Sequence, residues 1–186
     1  MILNLQTPTG PNFIKDWPLQ NAVNCDLEDA YAGPCLTSQP ILDYVPALTA
    51  STTSPSLGTG GTLVGKYYKI FDQVYVWGEF RFGSGASVGS GIYRISLPFK
   101  AKTLISTNNP FDSPIPVGTG QVFQVASDAN RQAVMCLLGS PDFLVFSVRM
   151  GTAGASRGVS HNIPFGWSGG SPGDGLMWSA RYQRDN

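Results

Sequence analysis

The sequence has little charge and little of the chemistry that catalysis and metal binding draw on. Only 13% of its 186 residues are charged, 12 bases balance 12 acids, and a single histidine is present. A neutral balance lacks the electrostatic footprint of a nucleic-acid or anionic-membrane binder, so neither partner is expected. The three cysteines, Cys25, Cys35 and Cys136, show no C-x-x-C or Cys/His ligand spacing. Neither a zinc site nor a disulfide framework is indicated, and the thiols are expected to be free. The segment MILNLQTPTGPNF lacks a basic start followed by an apolar run, and no stretch of ~18 apolar residues occurs, so neither a signal peptide nor membrane insertion is expected.

Catalytic constellations are equally scarce. His161 lies in SHNIPFGW with no G-x-S-x-G elbow, and a lone loop histidine is normally a polar loop residue. A glycosidase needs two carboxylates roughly 5 to 10 Å apart, but the acids beyond residue 50 are Asp72, Glu79, Asp112, Asp128, Asp142, Asp174 and Asp185. Asp72, Asp128, Asp142 and Asp174 sit in tight connections, where Asp caps its own backbone. Glu79 is mid-strand, with Arg81 on the same face as an ion-pair partner. The glycine run GSGASVGSG, residues 83–91, is followed by a strand and not a helix, so it reads as a flexible hairpin connection and not a phosphate cradle. No enzyme, cofactor or metal is expected.

What the chain has in abundance is glycine, proline and alternation. The 22 Gly and 14 Pro suit tightly connected strands better than helices. From residue 74, Val74, Val76, Gly78, Phe80 and Phe82 fall on one face and Tyr75, Trp77, Glu79 and Arg81 on the other, a period of two that no helix can use. Further strands are expected at Tyr44–Ala50, Gly120–Ala126, Gln132–Leu138, Phe143–Met150 and Met177–Gln183, with a long glycine-rich loop from Gly151 to Gly175. The count comes to about eight. Phe143–Met150 is apolar on both faces, which places it between a core and an intersubunit contact. The fold class is all-β: an antiparallel β-sandwich, jelly-roll-like, over residues 44–186, preceded by an arm.

Residues 1–43 form that arm. The first 50 residues carry one base, Lys15, against Asp16, Asp26, Glu28, Asp29 and Asp43, and six prolines. Asp16 suits an N-cap and Pro18 the first turn, and Leu19, Val23, Leu27, Ala30 and Tyr31 recur at helical spacing until Gly33-Pro34. That is a short amphipathic helix of about four turns, and its apolar stripe must dock on this chain's own β-domain or on a neighbour. The candidate receptor-binding residues are Tyr75 and Trp77 on the strand face and His161, Phe165 and Trp167 by the glycine-rich loop, since aromatics bring large contact area at low entropy cost and binding residues concentrate on loops.

The string YVPALTASTTSPSLGTGGTLVGKYYKIFDQVYVWGEFRFG, continued by GSGIYRISLP, resembles a β-domain that recurs in tail-fibre, minor tail and other virion proteins of bacteriophages. The shared theme is a Thr/Ser-rich lead-in, a G-x-Y strand, a V-x-V-x-G strand, a glycine loop and Y-x-I-x-L-P. The closing MWSARYQ is similar to the family's final strand, and PNFIKDWPLQNAVNCDLEDAY is similar to its attachment segments. The resemblance implies a non-enzymatic virion component made in the bacterial host cytoplasm, trimeric, anchored to other virion proteins through Phe13, Trp17, Leu19, Val23, Leu27 and Tyr31. Its sandwich would face outward towards host-surface glycans. No shaft or collagen-like run is present, which favours a tail-tip, baseplate or capsid-surface location over a long fibre. The alternative is a carbohydrate-binding module of non-virion origin.

Overall fold

The computed structural model describes residues 40–102, 115–125, 127–150, 155–167 and 173–185. The chain divides into two units, Met1–Gln39 and Pro40–Asn186. The expected arm helix, with Phe13, Trp17, Leu19, Val23, Leu27 and Tyr31, lies outside the described residues, as do Cys25 and Cys35. The second unit begins at Pro40 and not at Tyr44, because residues expected in the arm already pair: Leu42–Tyr44 is a strand.

Ten strands make one antiparallel sheet: β1 (Leu42–Tyr44), β2 (Leu48–Ala50), β3 (Thr62–Ile70), β4 (Gln73–Arg81), β5 (Tyr93–Ser96), β6 (Ile115–Gln124), β7 (Ser127–Ser140), β8 (Phe143–Met150), β9 (Ala155–Gly158) and β10 (Gly175–Gln183). Their order is β1-β3-β4-β10-β6-β7-β8-β5-β2, with β9 also on β8. Two strands exceed the expected eight. Pro46 separates β1 from β2, and β9 lies inside the segment expected to be a glycine-rich loop. No helix occurs among the described residues.

β1 and β2 are the two ends of the sheet, yet only Val45–Ala47 separates them along the chain, so the sheet must curl into a half-barrel. Tyr44 Oη on β1 donates to Ser96 O on β5, the neighbour of β2, at 3.4 Å, and the β2–β5 pairing itself extends to Ala47. Ser96 N–H donates to Ala47 O at 3.0 Å and Ala47 N–H to Ser96 Oγ at 2.8 Å.

One hairpin links these distant strands. Pairing runs in a single register from Ile70↔Gln73 through Thr62↔Arg81, Thr59↔Ser84, Ser56↔Ser87 and Thr53↔Ser90 to Ala50↔Tyr93 and Leu48↔Ile95, without a slip. The turn is Phe71-Asp72. The expectation that residues 83–91 form a flexible hairpin connection is therefore corrected: they are one side of a ribbon whose other side is the Ser/Thr/Pro-rich run 51–61. Mutual backbone bonds of 2.8–3.0 Å join Thr53 to Ser90, Ser56 to Ser87 and Thr59 to Ser84. They fall at every third residue, where a regular ladder would bond at every second. Gly58, Gly60, Gly85, Gly89 and Gly91 take positive φ there, a conformation open to glycine at little steric cost.

The period-two reading holds where it was strongest. Val74, Val76 and Phe80 on β4 and Leu176, Trp178, Ala180 and Tyr182 on β10 are buried, while Met177, Ser179 and Arg181 between them are exposed. Strands far apart in the order meet inside: the Phe146 ring on β8 lies 6.3 Å from Trp178 on β10. Each such fully buried large side chain contributes about 1.5–3 kcal/mol. Room for the Trp178 indole comes from its register neighbour Gly78, where a Cβ would meet the ring, and Gly65 beyond Gly78 receives the Tyr44 ring in the same way.

β8 is apolar on both faces, as expected, but its outer face is covered from within the chain. Val145 is 4% exposed between its partners Leu137 and Arg94, and the Arg94 guanidinium sits 4.7 Å over the Phe143 ring. An intersubunit contact is not needed to explain the pattern.

Candidate functional site: the outer face of the sheet

The register carries one row of outward residues across seven strands: Lys66, Trp77, Ser179, Thr119, Met135, Ser147 and Gly158. The next row on the same face is Val64, Glu79, Met177, Gln121 and Ala133. Between the two rows the backbone of Gly78, Trp178 and Gly120 is the floor of a shallow groove of about 470 Å³, walled by Trp77, Met177, Thr119 and Gln121. A second groove of about 510 Å³ continues it over Thr119, Met135, Ser147, Arg149 and Ser156. The floor is bare backbone because all three positions face inward: Trp178 is buried, a Cβ at Gly78 would meet its indole, and one at Gly120 would meet the buried Val134.

Trp77 is held in place. Tyr68 and Tyr75 stack at 4.6 Å with a 6° interplanar angle, and the Tyr68 ring meets Trp77 edge-on at 6.0 Å. Arg181 lies 5.2 Å over Tyr75 and donates from Nε to Gln73 Oε1 at 3.1 Å. Charges at the margins are engaged with one another. Lys66 pairs with Asp43 at 2.6 Å, and Arg81 with Glu79 at 3.3 Å, the partnership expected from their shared face. Arg81 and Arg131 both lie over Phe123, at 5.3 and 5.9 Å, which shields that outward-facing ring.

The five candidate receptor-binding residues do not converge. Tyr75 and Trp77 belong to the outer face. Trp167 is a core residue, a correction with a clear cause: it is 4% exposed, its ring packs against Phe80, Phe82, Tyr93 and Phe165, and its Nε1–H donates to Ser160 O at 2.7 Å. Phe165 is half-buried on that core. The His161 carbonyl accepts from Trp167 N–H at 3.1 Å, and its Nδ1 is buried without a partner.

The carboxylates also depart from the expectation that they cap their own turns. Asp174 is 1% exposed, and its Oδ1 accepts from Val125 N–H, remote in the chain, at 2.9 Å. Asp72 accepts from Gln183 Nε2. Both act as cross-strand fasteners.

Cys136 is a free thiol at the core, and burial pushes its pKa from the ordinary 9.0 up to about 12. Burial also raises Tyr44, Tyr93 and Tyr182, the last two donating to Val88 O at 2.8 Å and Phe99 O at 3.0 Å. Among the described residues no group of three His, Cys, Asp or Glu side chains is placed to hold a metal ion.

No protein-family model, curated protein or solved structure matches the chain. The geometry of the chain itself therefore carries the functional reading. Sequence alternation pointed to Tyr75 and Trp77. Thr119, Gln121, Met177 and Ser179 join them only through the register of β10 and β6, which no local pattern reveals.

Proposed function

We propose that the chain is a non-enzymatic structural protein of a tailed-bacteriophage virion, a minor tail, tail-tip or capsid-surface component. The residues ahead of its β-unit, 1–39, attach it to other virion proteins, and the β-unit is presented outward for host-surface attachment. The observation that carries this reading is the hairpin from Leu48 to Ile95. The string that resembles the virion β-domain is one continuous structural element, in which the lead-in and the glycine loop are its two paired sides. A segment whose glycines and hydroxyl residues serve pairing supports a displayed scaffold.

The finer architecture belongs to the same proposal. The curl sets β8 over β10, with Phe146 against Trp178, which supports a sandwich-like body of jelly-roll type. The active particle component is a homotrimer, and its site of assembly is the virion.

Deleting residues 1–35 is the test. The truncated protein folds, as read by circular dichroism, but is missing from purified particles when expressed during phage growth. Incorporation of the truncated chain at the full-length level overturns the reading. A carbohydrate-binding module of non-virion origin is the second reading, favoured by the Trp77 groove. It predicts glycan binding by a protein that remains monomeric in light scattering after size exclusion and never enters particles.

A further inference from the structure

We propose that the groove across the outer face of the sheet is an oligosaccharide-binding site, with Trp77 as the platform on which one sugar ring stacks. This names the ligand class for the attachment reading above and rests on that reading for the ligand's biological source alone.

The argument is chemical. A sugar ring offers an apolar face of C–H groups and a rim of hydroxyls, so its site needs an aromatic surface beside neutral hydrogen-bonding groups. Trp77 is partly exposed and braced edge-on by Tyr68, so stacking on it orders little that is not already ordered. Beside it, the Ser179 and Thr119 hydroxyls and the Gln121 amide stand on adjoining strands, and Met177, 38% exposed, completes an apolar wall. These groups donate and accept without charge. The cations near Trp77 already face other partners: Lys66 has Asp43, Arg81 has Glu79, and Arg181 covers Tyr75. A polyanion such as nucleic acid would find its counter-charges engaged, whereas a polyhydroxylated chain meets unoccupied hydroxyl and amide positions.

Length fits a chain and not a single ring. The row from Trp77 through Ser179, Thr119 and Met135 to Ser147 crosses four strand spacings, about 19 Å, and both grooves share Thr119. The axis of the oligosaccharide therefore lies across the strands, with Trp77 at one end and Ser147, Ser156 and Arg149 lining the other.

The test is calorimetric titration of the full chain with maltohexaose, cellohexaose and the hexamer of N-acetylglucosamine. Binding to at least one of them in the micromolar to millimolar range is expected, as is usual for shallow open sites. Trp77→Ala weakens it by about tenfold or more, Trp77→Phe keeps most of the affinity because the platform remains, and Thr119→Val with Gln121→Leu weakens it severalfold. Circular dichroism and melting of each variant separate lost binding from lost folding, and where Trp77→Ala fails to fold the Thr119→Val, Gln121→Leu protein keeps the test decisive, since unchanged affinity there overturns the proposal. No binding to any of the three probes at millimolar concentration, or equal affinity in wild type and Trp77→Ala, overturns the proposal. Either result leaves the particle-incorporation test standing, so the two readings fail separately.

Discussion

Gly78 sets the position of the largest inward-facing side chain of β10, and an alanine there tests that arrangement. A methyl group at Gly78 would lie 2.6 Å from Trp178 Cζ2 and 2.2 Å from the Val64 carbonyl oxygen, both too close for a real Cβ. Relief requires the indole to turn, the β3–β4 pairing to open, or both. Overpacking of this kind costs about 1–3 kcal/mol. Loosening one β3–β4 hydrogen bond adds about 1 kcal/mol, and the smaller freedom of alanine in the unfolded chain returns about 0.4–1 kcal/mol. The expected net loss is about 2 kcal/mol, or roughly 4–8 °C in melting temperature for a unit of this size. Urea unfolding followed by far-ultraviolet circular dichroism and tryptophan fluorescence measures it. The cause is tested by repeating Gly78→Ala in a Trp178→Leu background, where the penalty falls by about 1 kcal/mol because the indole is gone. A Gly78→Ala protein within about 0.5 kcal/mol of wild type, or strict additivity of the two substitutions, refutes Gly78 as the seat of Trp178.

Phe71 occupies the hairpin turn at φ 55° and is 74% exposed, so a bulky residue sits where the backbone disfavours one and no packing compensates. Phe71→Asn, a residue that tolerates this conformation, is expected to raise stability by about 1 kcal/mol in the same urea assay. Base is expected to destabilise the β-unit. The Cys136 thiol is protonated in the folded state up to about 12 but ionises near 9.0 when exposed, so the unfolded state holds fewer protons between those values. Stability is fully present below 9 and falls as pH rises, by up to about 1.4 kcal/mol per pH unit from this group. Tyr44, Tyr93 and Tyr182, all raised, add to the decline at higher pH. A Cys136→Ala protein whose urea midpoint falls as steeply between pH 8.5 and 10 as that of wild type refutes the assignment to the thiol.

The fold was legible wherever alternation was local. Phe143–Met150 coincides with the observed β8, and Met177–Gln183 falls within β10, because each strand's inward residues carry their own apolar signal. The ribbon of residues 51–61 and 82–92 was not legible. Serine, threonine and glycine have no face preference, and their pairing is dictated by the turn at Phe71-Asp72, which fixes the register of everything beyond it. Trp167 was misplaced because loop composition says nothing of whether a loop's aromatic turns inward, whereas a buried Nε1–H bond to Ser160 O holds this one in the core. The outer face was half legible: Trp77 could be found from β4 alone, but its neighbours belong to strands more than 40 residues away.

The single-register hairpin also bears on how the protein acquires its fold. Because each new pair from Ile70↔Gln73 outward closes a loop already closed by the pair before it, the entropic penalty per step is small, and four strands of the final sheet are laid down by one zipping event from a two-residue turn. When the zipper reaches Leu48↔Ile95, the chain has in place the strand that will receive β10 at one end and the strand that will receive β8 at the other. β6, β7, β8 and β10 then fill the interval between two prepared edges. The sequence-distant contacts of the sheet, which would otherwise have to be found by diffusion of the whole chain, become a docking of one meander into a waiting frame.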